Sequence, residues 1–155
     1  MTTAQKRIFA AVAGIWLLAG GAWAQSSVPL NINAVVPGMC KFMSSSYTIN
    51  FGTLDPSSFA DTSAGVSMAY KCTNGTAPVS VKVNNQASGG SVNIVNAAHS
   101  LPVTLTWNLP TDPGLGFGPI ASVIRMGITG TIPAAAVQTA FAGTYAGSYP
   151  ITITP

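Results

Sequence analysis

The sequence predicts an all-β, antiparallel sandwich. Short runs of residues alternate between apolar and polar down the chain, which is the period of a half-buried strand. Turn-forming clusters separate those runs at regular intervals. Valine, isoleucine, threonine, tyrosine and phenylalanine hold the strand positions.

Residues 1–24 stand apart from that pattern. Lys6 and Arg7 precede an apolar run from Ile8 to Gly20, and Ala22-Trp23-Ala24 places small residues three and one before Gln25. This layout predicts a secretory signal peptide, cleaved between Ala24 and Gln25. The alternative is a membrane anchor, for which the apolar run is short. Cleavage leaves a chain of one domain's length, exported through the periplasm to the cell surface or the medium.

The first alternating run is "SVPLNINAVVPGMC", 27–40, with Val28, Leu30, Ile32, Ala34 and Val36 on one side. Tyr47, Ile49 and Phe51 then alternate with Thr48 and Asn50. Val66, Met68, Tyr70 and Cys72 follow. Val79, Val81 and Val83 form a short run. The longest has Leu101, Val103, Leu105, Trp107 and Leu109 on one face. Ile124, Met126 and Ile128 precede the last run, Tyr149, Ile151 and Ile153. "LDPSS", "TNGTAP", "NNQASGG", "LPTDPGLGFGP" and "FAGTYAG" are the turns between them. "IPAAAVQTAF", 132–141, has room for one helical turn, with Pro133 suited to a first helical position.

Composition excludes several function classes. Without the leader, Lys41, Lys71, Lys82 and Arg125 face Asp55, Asp61 and Asp112, a net charge of +1. No basic patch exists to counter a phosphate backbone, so nucleic acid is not an expected partner. One histidine, two cysteines and three aspartates provide no metal-ligand cluster, and neither a metal nor a cofactor is expected. Asp55 and Asp61 lie in one loop segment, and Asp-Pro at 55–56 and 112–113 is turn chemistry. No elbow motif frames a serine, and His99 has no sequence neighbour to orient it. "GLGFG", 114–118, runs into Pro119 rather than a helix start, which argues against a phosphate loop. Asn74-Gly75-Thr76 matches a glycosylation sequon but also reads as a turn. The chain is therefore not expected to be an enzyme.

Cys40 and Cys72 are the two cysteines. In an oxidising compartment they read as one disulfide, with free thiols or half a metal site as the alternatives. Closing a loop of about 33 residues would stabilise the domain by roughly 3–4 kcal/mol.

The last run, Tyr149, Ile151 and Ile153, reaches almost to Pro155. An immunoglobulin-like sandwich places one more strand beside such a run. The expectation is a sandwich lacking its final strand, with a groove of open backbone groups and exposed apolar side chains. The alternating segment at 27–36 fits that groove in a second molecule: head to tail, and so a fibre. Burial of Val28, Leu30 and Ile32 supplies roughly 5–9 kcal/mol before losses.

Four stretches resemble the spore coat protein U domain family, the subunits of archaic chaperone–usher pili. "VVPGMCKF" is similar to that family's first strand and first cysteine, and "INFGTLDP" to its Phe-Gly-x-x-Asp-Pro segment. "YKCTNGTAPVSV" is similar to its second-cysteine strand, and "GTIPAAAVQTAFAGTYAGSYPITITP" to its crossover and closing strand. The chain departs from the family at Gly147, where aspartate is usual, and at Pro150, where threonine is usual.

The resemblance implies a pilin-type sandwich completed by donor-strand complementation. Its partners would be a periplasmic chaperone, an outer-membrane usher and further copies or related subunits. Residues 25–36 would be the donor segment, with Val28, Leu30, Ile32 and Ala34 as plugs, and 37–155 the sandwich. The acceptor groove would be edged by Val36, Tyr145, Tyr149, Ile151 and Ile153. Adhesion or biofilm is the expected role. The competing expectation is a secreted surface, coat or ligand-binding protein that fills its own groove.

Overall fold

The computed structural model describes residues 26–121 and 123–155. The leader and its cleavage positions Ala24 and Gln25 lie outside the described residues. The chain divides into two units, one up to Ala34 and one over Val35–Pro155. In the first, residues 26–34 form neither helix nor strand, and Val28, Leu30 and Ile32 are exposed.

The second unit is all-β. Its described residues form β1 (Cys40–Phe42), β2 (Thr62–Cys72), β3 (Ser80–Val83), β4 (Gly90–Asn96), β5 (His99–Trp107), β6 (Ile124–Ile132) and β7 (Ile151–Thr154), with one short helix, α1 (Ala134–Gln138). Five strands make an antiparallel sheet in the order β1-β2-β6-β5-β4, and β3 pairs with β7 in a second sheet.

Alternation builds the core. On β5 the side chains of Leu101, Val103, Leu105 and Trp107 point inward while Thr104 and Thr106 face solvent. Met68, Tyr70 and Cys72 from β2 and Met126, Ile128 and Ile132 from β6 meet them, and Val81 and Val83 close from the second sheet. Full burial of each such side chain stabilises by about 1.5–3 kcal/mol. Trp107 Nε1–H donates to the Val81 carbonyl at 3.3 Å, tying the two sheets together.

Several sequence expectations need correction. Residues 47–51 keep a strand's alternation, with Tyr47, Ile49 and Phe51 half-buried and Thr48 and Asn50 exposed, yet they join no ladder. The run expected from Val79 begins at Ser80; Val79 follows Pro78 and is exposed. The run expected to reach Leu109 stops at Trp107, two residues short of it. The closing strand starts at Ile151, because Pro150 has no N–H to offer a ladder.

β4 was not legible. Asn93 and Asn96 interrupt its apolar residues, and its order comes from seven facing pairs with β5. Pro133 is the N-cap of α1 rather than its first helical residue. The first helical N–H, of Ala134, donates to the Asp61 carboxylate at 2.9 Å.

Candidate functional site

The two sheets leave a groove of about 510 Å³. Its floor is the inward face of the larger sheet: Val66 of β2, Val92 of β4, Val103 and Leu105 of β5, and Ile128 of β6. The second sheet has only two strands of four residues, so it leaves part of that face uncovered. One wall is the segment from Phe42 to Phe51; the other runs from Gly147 to Ile151.

Local chemistry explains why the first wall is unpaired. β1 pairs with β2 from Cys40 opposite Cys72 to Phe42 opposite Tyr70. The Met43 N–H makes one more bond, 2.9 Å to the Ala69 carbonyl. Three serines follow. Ser44 Oγ donates to the Ser46 carbonyl at 2.8 Å and accepts from the Ser46 N–H at 3.4 Å, a local turn that competes with the ladder.

Beyond that turn a side chain takes the place of main chain. The Tyr47 hydroxyl donates to the Ala69 carbonyl at 2.8 Å and accepts from the Ala69 N–H at 3.1 Å. Phe42 packs edge-on against the Tyr47 ring, centroids 6.0 Å apart. Among the described residues, the main chain of 47–51 makes no backbone–backbone hydrogen bond. Among the described residues, β7, whose first residue Ile151 lines the groove, has β3 as its one ladder partner.

The groove is uncharged, with an apolar floor and with Ser44, Ser45, Ser46, Thr48 and Ser148 along its walls. Among the described residues, no Lys, Arg, Asp, Glu or His side chain lines it. Both tyrosine hydroxyls at its walls are already engaged, Tyr47 with Ala69 and Tyr149 with the Asn93 carbonyl. A small-ligand site needs a few convergent polar groups free to fix orientation. What this groove offers is an apolar floor, with hydroxyl groups and main-chain edge along its walls.

The sequence-predicted residues fall as follows. Tyr149 and Ile151 line the groove. Ile153 faces Val81 across the β3–β7 pair and packs against the core. The Tyr145 hydroxyl donates to the Phe141 carbonyl at 3.0 Å, away from the groove lining. Val36 is exposed and precedes β1. Ala34, like Val28, Leu30 and Ile32, is exposed. Cys40 and Cys72 form a disulfide between directly facing positions of β1 and β2.

Residues weighed for chemistry have local roles. The Ser57 hydroxyl and N–H donate to the Asp55 carboxylate at 2.7 and 2.8 Å, and hold it below the usual carboxylate range. Asp61 accepts from the start of α1. His99 stacks on Phe141 with ring centroids 3.7 Å apart. The glycine-rich loop uses its N–H groups on the main chain: Gly114 donates to Thr76 at 2.8 Å and Gly116 to Cys72 at 3.0 Å. A Cβ on Gly114 would run into the Cys72 carbonyl. Tyr70 is fully buried and its hydroxyl lacks a partner, so burial, then the nearby charge of Asp112, pushes its pKa up. Among the described residues no group of three or more metal-ligating side chains comes together. No helix among them is long and apolar enough to cross a membrane.

Sequence reasoning missed the groove floor and the serine turn. Val66, Val103, Leu105 and Ile128 were legible as core but not as uncovered core, and Val92 of β4 was not legible. The serine run carried a signal, since it breaks the alternation between Phe42 and Tyr47. No family model, curated protein or solved structure matches the chain.

Proposed function

We propose that this chain is a structural subunit of a secreted surface fibre. It polymerises by laying its leading segment, residues 26–35, into the groove of the next copy. One observation carries the proposal: Tyr47, Ile49 and Phe51 line the groove with a strand's apolar alternation while their main chain has no ladder partner, the other wall running from Gly147 to Ile151. One strand inserted there would find hydrogen-bonding groups at its sides and an apolar floor beneath. Alternate side chains would then set register.

The leading segment has matching chemistry. Val28, Leu30, Ile32 and Ala34 recur at period two, and the first three are more than four-fifths exposed. It carries no charge between Ser26 and Val36, as an uncharged groove requires. Pro29 has no N–H to donate, and it falls between plug positions. The pilin-type, immunoglobulin-like assignment belongs to this same proposal. So do the chaperone that lends a strand in the periplasm, the usher that exchanges it, and an adhesive or biofilm role for the fibre.

The test uses the chain from Gln25 onward. It is expected to form long-lived multimers. A variant without residues 25–35 is expected to stay monomeric and to bind a synthetic 26–35 peptide. Placing Asp at position 32 of that peptide removes a buried side chain and brings a charge into an apolar site. The expected loss of affinity is at least about 100-fold. A full chain that remains a monomer at all concentrations, with its leading segment protected from hydrogen exchange, would refute the fibre and favour self-complementation.

A further inference from the structure

β6 outruns one of its partners. The β5–β6 ladder goes from Thr104 opposite Thr131 to Trp107 opposite Ile128, yet β6 continues back to Ile124, paired there with β2 alone. The Ile128 carbonyl points at β2, where a Cβ on Gly65 would lie 3.2 Å from it. Main-chain groups alternate between the two edges of an antiparallel strand, so those of Arg125 and Gly127 point to the side that β5 has left. The departing chain does not meet them. Residues 108–112 make no backbone–backbone hydrogen bond among the described residues, and Pro110 has no N–H to give.

Between the two segments lies a cleft of about 560 Å³. Thr106, Asn108, Thr111, Asp112, Arg125 and Thr129 line it, and it shares no lining residue with the groove. The Thr106 hydroxyl donates to the Thr129 carbonyl at 3.5 Å. Asp112 and Arg125 are exposed, and no ion pair among the described residues joins them. Arg125 only donates and Asp112 only accepts, whereas the hydroxyl, amide and main-chain groups supply both functions. Small organic ligands occupy clefts of about 300–1,000 Å³.

The surroundings are positive. Lys41 faces Lys71 across β1–β2, and Arg125 faces Ala69 across β2–β6. Facing residues, and residues two apart on one strand, share a side of the sheet. Met68, Tyr70 and Cys72 point into the core, so Lys41, Lys71 and Arg125 lie together on the outward face. They are three of the four cations outside the leader. Lys71 is buried, and its ammonium donates to the Gly118 carbonyl at 2.9 Å rather than to a carboxylate. Like charges in facing positions repel, and an anion bound beside them relieves that repulsion.

We propose that this cleft binds an acidic saccharide. Its carboxylate pairs with Arg125, whose guanidinium fork matches that group. Its hydroxyls meet Asn108, Thr111, Asp112 and the open main chain of β6. In the fibre proposed above, one such site per copy would act multivalently, but the site does not depend on assembly.

Saturation-transfer NMR on the full chain from Gln25 tests it, in monomer or multimer. D-glucuronate is the probe. D-glucose, which lacks the carboxylate, and acetate, which lacks the hydroxyls, are the comparisons. Glucuronate is expected to be saturated well above either comparison, and less so in high salt. In titrations Arg125→Gln is expected to weaken glucuronate binding about tenfold or more. Asn108→Ala is expected to weaken it less, and Lys82→Gln, on the other sheet, to leave it unchanged. Urea midpoints establish that each variant folds; where Arg125→Gln does not, Asn108→Ala carries the test. Glucuronate that is not saturated, or is matched by glucose or by acetate, overturns the proposal. So does binding that the folded Arg125 and Asn108 variants leave unchanged.

Discussion

Replacing Tyr47 by Phe removes one oxygen atom and tests how the groove wall is held. That oxygen accepts from the Ala69 N–H at 3.1 Å and donates to the Ala69 carbonyl at 2.8 Å. The Ala69 site is part-buried, just past the last β1–β2 pair; its carbonyl also accepts from the Met43 N–H at 2.9 Å, so the substitution leaves the Ala69 N–H as the unpaired group. A typical internal hydrogen bond contributes about 0.5–1.5 kcal/mol net, and a main-chain group left unpaired in a buried site costs about 1–3 kcal/mol. Water reaches part of this site, so the sum stays at the lower end, about 1–3 kcal/mol. Urea denaturation read by tyrosine and tryptophan fluorescence is the assay, with the slope unchanged and the midpoint lowered. The matched control is Tyr145→Phe. That hydroxyl makes one bond at an exposed site, and its loss is expected within about 0.5 kcal/mol. If Tyr47→Phe costs no more than Tyr145→Phe, the hydroxyl is not what substitutes for the missing ladder, and the account of the unpaired wall is wrong. A second readout is binding of the 26–35 peptide: a wall released from Ala69 is expected to bind it more weakly.

Replacing both Cys40 and Cys72 by Ala is expected to cost about 3–4 kcal/mol in the chain-entropy account, seen as a lower urea midpoint that reductant no longer shifts. Gly114→Ala puts a methyl group against the Cys72 carbonyl; a loss of about 1–3 kcal/mol is expected, with residues 113–121 losing hydrogen-exchange protection first. Ser57 holds the Asp55 carboxyl below its ordinary value of 3.8. The stabilisation it brings is present above the unfolded pKa and disappears as pH falls through the lower folded value. Asp55→Asn is expected to flatten stability against pH only below about pH 4; a change confined to neutral pH would contradict the assignment.

How much of this was legible without the fold depends on the range of the interaction. The inward faces of β2, β5 and β6 follow from period-two alternation, because a pleated chain sends successive side chains to opposite sides whatever lies beyond. Ile49 shows both halves of the matter. Its inward direction was legible from Tyr47-Thr48-Ile49-Asn50-Phe51, but its lack of a strand partner was not. That depends on three serines turning the chain and on a tyrosine hydroxyl taking the main-chain groups of Ala69, 22 residues away.

β4 failed in the opposite sense. Gly90–Asn96 has a weak local pattern and becomes a strand because β5 offers it an edge. The groove edge shows the same division. Tyr149 and Ile151 reach the groove through the closing run the sequence displays, whereas the part played by Phe42–Phe51 depends on where β1 lets go of β2.

The sequence by itself determined that this is a β protein with little charge; the disulfide between its two cysteines was an expectation that the structure bears out. Those properties follow from composition and from interactions between near neighbours in the chain. Only the tertiary structure decided which main-chain edges are used up and which stay open. A strand's period is local, but its partner is chosen by packing among residues tens of positions apart.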